Sequence, residues 1–72
     1  MNIHMFSSFP LRLKELREEK KLTQRELSKL LGFNKTAVSV WEASQSVPNL
    51  NAVIKLAAFF SVSVGYLAGT EE

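Results

Sequence analysis

Phe9, Leu13 and Leu16 recur at i, i+4 and i+7 with arginine, lysine and glutamate between them, the apolar stripe of an amphipathic helix. Pro10 suits the first turn, where its missing amide would have had no partner, so the spacing predicts a helix over about residues 10–20. Thr23-Gln24-Arg25-Glu26 is a capping box: the threonine hydroxyl accepts from the Glu26 amide while the Glu26 carboxylate accepts from the Thr23 amide. A second helix starts there with Leu27, Leu30 and Leu31 as its buried stripe. Gly32 ends it after two turns, because glycine takes positive φ without a Cβ clash. Asn34 is the expected cap of a third helix, with Phe33 stapled against Val38. At about 100° per residue, Ala37, Val38 and Trp41 then face inward and Thr36, Ser39, Val40 and Ala43 outward. Residues 44–48 read as a loop. Asn49 caps a fourth helix with Val53, Leu56, Ala57 and Phe60 on one side, and Ser63 opens a last short helix closed by Gly69. The pattern gives an all-α, compact five-helix domain over residues 9–69, between an N-terminal tail at 1–8 and an acidic tail at 70–72.

Composition narrows what such a domain does. A 72-residue chain buries only about 60% of its unfolded surface, yet 46% hydrophobic residues, five Phe and one Trp are too apolar for disorder. The absence of cysteine removes disulfides and thiolate metal sites and makes a reducing, cytoplasmic location the expectation. The longest apolar runs, such as residues 56–60, fall far short of the roughly 20 residues that span a bilayer. The opening MNIHMFSSF lacks a basic n-region and reads as a tail rather than a signal peptide. Catalysis has no basis in the sequence: there is no aspartate for a Ser-His-Asp triad, no glycine-rich phosphate loop, and the glutamates sit on a solvated helix without a nucleophile. His4 has no second histidine near it, so no metal and no cofactor is expected. Net charge is only +2, but residues 12–35 hold eight of nine basic and four of seven acidic groups. A charged segment of this kind is also what a solvated helix face looks like.

Two helices joined through a short glycine turn, the second presented outward, form the helix-turn-helix arrangement. LTQRELSKLLGFNKTAVSVWE, residues 22–42, followed by PNLNAVIKLAAFFSVSVGYL resembles the phage repressor and Cro type of helix-turn-helix domain found in xenobiotic-response-element-like regulators. The ordered set L-T-Q-x-E-L, the glycine ahead of the third helix, W-E and P-N-L carries the likeness, which spans Phe9 to Gly69. It implies a lambda-repressor-like fold that binds double-stranded DNA through the major groove as a transcriptional regulator, a repressor first of all. Carried over by position, Gln24 donates to a phosphate and braces the third helix, while Lys35, Thr36, Ser39 and Val40 meet base edges. Thr23, Arg25, Ser44 and Gln45 complete the expected phosphate-facing set. Arg17 and Glu42 match a structural ion pair between the first and third helices. Trp41 shares a stripe with Val38 and is expected in the core rather than as a stacking platform.

The sequence also departs from that pattern. Positions 40 and 43 often carry long polar or basic residues in similar domains, and here they are valine and alanine, so bidentate guanine readout by arginine is absent. Methyls of Val40 and Thr36 suit the thymine C5-methyl, which leans specificity toward A·T pairs. Lys21, Ser44 and Ser61 stand where such domains often have glycine; if those backbones still need positive φ, each costs about 1 kcal/mol. The loop after the third helix is without basic residues, which leaves phosphate attraction to the first two helices, Arg12, Arg25 and Lys29 among them. One copy offers few contacts, so a homodimer reading half-sites about 34 Å apart is expected, with Tyr66 and Leu67 as its apolar glue. The rival reading is a protein-interaction module, an antitoxin-like or anti-repressor partner docking through the same small neutral face.

Overall fold

The computed structural model describes residues 7–70. Within them the chain forms α1 (Phe9–Glu19), α2 (Gln24–Leu30), α3 (Ala37–Glu42), α4 (Leu50–Phe60) and α5 (Val64–Ala68), with no strand among the described residues. The helix ends follow one rule. After each helix a residue turns left-handed and the next amide reaches back into the last turn: Leu22 N to Arg17 O, Phe33 N to Ser28 O, Gln45 N to Val40 O, Val62 N to Ala57 O and Thr70 N to Gly65 O. These are Schellman closures, which satisfy carbonyls the helix leaves without partners. Glycine occupies two of the left-handed positions, Gly32 and Gly69, while Lys21, Ser44 and Ser61 hold φ of 58°, 61° and 57°. The expected strain at those three positions is therefore present.

The starts are more varied. Thr23 and Glu26 close the capping box at 3.0 and 2.8 Å, Asn49 accepts from Ala52 N and Ser63 from Tyr66 N. Asn34 does not cap α3. Its Oδ1 accepts from the backbone N–H and the hydroxyl of Thr36, at 2.9 and 2.8 Å, because an asparagine side chain bonds readily two residues ahead and builds a turn of its own. The helix therefore begins at Ala37, with Thr36 at its N-cap position making no side-chain cap. The cap comes from another helix: Ser28 Oγ on α2 accepts from Val38 N at 3.1 Å.

That bond sets the rotation of α2. Leu27 and Ser28 are fully buried and Leu31 packs against the core, whereas Leu30, expected in the stripe, is 59% exposed. At about 100° per residue, a face centred between Leu27, Ser28 and Leu31 puts Leu30 more than a quarter turn away. The core gathers Phe9, Leu13, Leu27, Val38, Val53, Leu56 and Leu67, all almost wholly buried. Trp41 lies among them, edge-on to Phe33 at 5.1 Å and to Phe9 at 6.5 Å, so it fills the core and offers no stacking face. Leu67 has no exposed surface and is not available as glue between copies. The helices α1 and α2 both pack on α3, and α5 packs on α4 and α1. Of the tails assigned to residues 1–8 and 70–72, residues 1–6, with His4, and 71–72 lie outside the described residues.

Candidate nucleic-acid interface

Three helices meet at one guanidinium. Arg17, the last basic residue of α1, is 9% exposed; it donates from Nε to Glu42 Oε2 at 2.7 Å, from Nη2 to Glu42 Oε1 at 2.9 Å and from Nη1 to the Leu22 carbonyl at 2.8 Å. The charge-assisted fork raises the Arg17 pKa above its ordinary value, the Glu42 hydrogen bond being the largest cause and desolvation opposing it. Arg17 thus stays charged, and its charge is cancelled where it sits. Gln24, at the first turn of α2, donates from Nε2 to the same Glu42 Oε1 at 2.9 Å. Glu42 consequently ties the end of α3 to α1 and to α2 at once. These bonds and Ser28 fix α3 on its inner side and leave its outer side to solvent.

The residues expected to face bases lie on that outer side. Lys35 and Thr36 are exposed in the turn before α3, while Ser39 and Val40 are half-buried on its first turns. Of the phosphate-facing set, Thr23, Arg25, Ser44 and Gln45 are exposed, and Gln24 has one amide proton committed to Glu42, which is its bracing part. Lys14, Arg17, Gln24, Ser39, Glu42 and Ala43 line a shallow groove along α3. Arg12 does not join the outward cations; it crosses to α5, donates to the Tyr66 carbonyl and lies 4.4 Å from the centre of the Tyr66 ring.

Sequence reasoning missed three parts of this site. Ser28, between Leu27 and Lys29, carries no signal in the sequence, because only the approach of α3 gives it a partner. Lys14 carries no spacing signal, because its place beside Ala43 follows from how α1 crosses α3. Thr36 and Ser39 each spend their hydroxyl proton internally, Thr36 on Asn34 Oδ1 and Ser39 on the Thr36 carbonyl, both at 2.8 Å. No group of metal-ligating side chains is present among the described residues, and no helix among them is long and apolar enough to cross a membrane.

Two helices joined across a short glycine turn, the second held outward, define the helix-turn-helix class. The helix-turn-helix family model matches residues 13–67, and the chain belongs to that family. It is 38% identical over 64 residues to the HTH-type transcriptional activator BcrR of Enterococcus faecalis, covering 89% of this chain and 31% of that protein. It is 34% identical over 68 residues to the cryptic phage CTXphi transcriptional repressor RstR of Vibrio cholerae, covering 94% and 59%. The chain spans less than two thirds of either relative. Among solved structures, the P22 c2 repressor in complex with synthetic operator 9T superposes with a TM-score of 0.79 at 28% identity, covering 88% of this chain and 96% of that one. The restriction-modification controller protein C.AhdI of Aeromonas hydrophila gives 0.74 at 30% identity, covering 92% and 99%. The fold is the lambda-repressor-like one that the resemblance implied.

Proposed function

We propose that this chain binds double-stranded DNA by laying α3 in the major groove and regulates transcription from the cytoplasm, as a repressor. The observation that carries the reading is the fixation of α3 from behind. Arg17, Gln24 and Ser28 hold its ends and inner side, while Lys35 and Thr36 are left exposed and Ser39 and Val40 partly exposed on the opposite side. Thr23, Arg25, Ser44, Gln45 and the remaining amide proton of Gln24 flank that side as phosphate donors. Similarity to proteins named as transcriptional regulators and to an operator-bound repressor supports the same reading. The chain requires no catalytic residue, cofactor or metal for this work.

One copy buries too little for tight operator binding, and a homodimer placing two α3 helices about 34 Å apart supplies the rest. With Leu67 in the core, an apolar surface open to self-association is the groove between α4 and α5, where exposed Leu50 and Val64 stand beside Pro48, Gly65 and Ala68.

Fluorescence anisotropy with a labelled random duplex across a salt series tests the function. Log affinity should fall against log salt with a slope of about −0.9 per phosphate neutralised, and Arg25→Ala or Lys35→Ala should flatten it. A protein-docking module would bind no duplex, and neither substitution would matter.

A further inference from the structure

We infer that Thr36 and Ser39 read DNA as hydrogen-bond acceptors only, so that α3 selects base edges carrying an exocyclic amino group. This rests on the major-groove reading above and names what that surface recognises.

A hydroxyl has one proton and two lone pairs. The atom of Asn34 that meets Thr36 accepts from the Thr36 backbone N–H at 2.9 Å, so it is the carbonyl oxygen of the amide, and the Thr36 hydroxyl 2.8 Å away can only donate to it. Ser39 Oγ lies 2.8 Å from the Thr36 carbonyl, an atom with no proton, so Ser39 donates as well. The two bonds interlock: Asn34 holds Thr36, and Thr36 holds Ser39. Each hydroxyl therefore presents only lone pairs outward.

In the major groove, adenine N6 and cytosine N4 are donors, whereas guanine presents only the acceptors O6 and N7. An accepting hydroxyl complements the first two. Against guanine it sets lone pair to lone pair unless an internal bond is broken first. The donor of the set is Lys35, exposed next to Thr36, so a guanine under α3 falls to Lys35 and not to the hydroxyls. The neighbouring Val40 methyls favour the thymine of an A·T pair over cytosine.

The test takes the whole chain, selects a half-site from randomised duplexes, and replaces single bases under α3. Adenine is changed to purine and cytosine to 2-pyrimidinone, each lacking the amino group, and guanine to 7-deazaguanine, lacking the N7 acceptor; the same changes outside the contacted pairs correct for weakened pairing. We expect about a tenfold loss at one or more adenine or cytosine positions, absent in Thr36→Val or Ser39→Ala, with adenine and cytosine arms telling the two amino sources apart. Asn34→Ala frees the Thr36 proton and should raise tolerance of guanine at that pair. Tight, salt-dependent binding with no amino dependence overturns this inference alone, as does a 7-deazaguanine loss that vanishes in Thr36→Val or Ser39→Ala. A chain that binds no duplex even at low salt overturns the DNA-binding reading and this inference with it.

Discussion

Arg17 on α1 and Glu42 at the end of α3 are 25 residues apart in sequence and meet as a fork, Nε to Oε2 at 2.7 Å and Nη2 to Oε1 at 2.9 Å, with side chains 10% and 5% exposed. Removing one partner strands the other charge away from water, a cost of about 3–5 kcal/mol. A domain of this length has a total of only about 4–11 kcal/mol. Arg17→Ala and Glu42→Ala should therefore each unfold a large fraction of the protein, read as a fall in the urea midpoint. The apolar double replacement Arg17→Met with Glu42→Leu should recover much of the loss; equal destabilisation by single and double variants would disprove the pairing energy.

Lys21 and Ser61 are left-handed with side chains attached. Replacing either by glycine should add about 1 kcal/mol, seen as a rise of about 4–8 °C in Tm per substitution for a domain of this size. The two sites are separate helix ends, so the gains should add. Gly32→Ala should move the other way: its Cβ would meet nothing closer than Lys55 Nζ at 3.9 Å, so the loss would come from φ alone.

Ser28 is the tertiary cap of α3. Ser28→Ala leaves the buried Val38 N–H without its acceptor, which costs about 1–3 kcal/mol. Hydrogen exchange at the Val38 amide should accelerate more than at amides of α4. Uniform acceleration across the domain would show that Ser28 only fills space.

The capping box ties stability to pH. Hydrogen bonds from Thr23, the backbone N–H first, lower the pKa of the Glu26 carboxyl below its ordinary value. A depressed folded pKa stabilises the fold above the unfolded value, and that contribution is lost as pH falls through the folded one. Stability should accordingly drop as pH falls through the usual glutamate range, and Glu26→Gln should flatten that limb by lowering neutral-pH stability toward the level the unsubstituted protein reaches in acid. An NMR titration placing Glu26 no lower than in an unstructured peptide of the same residues would contradict it.

Leu50 is 66% exposed at the groove between α4 and α5. Leu50→Lys should leave the monomer's Tm unchanged and shift sedimentation toward monomer. A variant that associates as strongly as the original would move the self-association surface elsewhere.

The local signals of this chain were legible because each acts within one helical turn. Thr23 with Glu26, Asn49, Ser63, Gly32 and Gly69 announce helix ends by bonds to atoms three to five residues away, and the stripe of Phe9 and Leu13 follows from helical period. Pairing of Arg17 with Glu42 was available only through resemblance, since spacing alone joins no residues so far apart. Asn34 misled because asparagine serves a free-standing turn as readily as a helix cap.

The sequence by itself determined five short helices, the turns between them and a core tryptophan, since propensity, capping and periodicity are properties of neighbouring residues. The tertiary structure decided which side of α2 is buried, so that Ser28 and not Leu30 meets α3. It also decided that Gln24 and Arg17 share the Glu42 carboxylate, that Leu67 is sealed in the core, and that two outward hydroxyls have already spent their protons. Each of these depends on the angle at which one helix crosses another, which is set by packing and by where the last unsatisfied donor finds an acceptor.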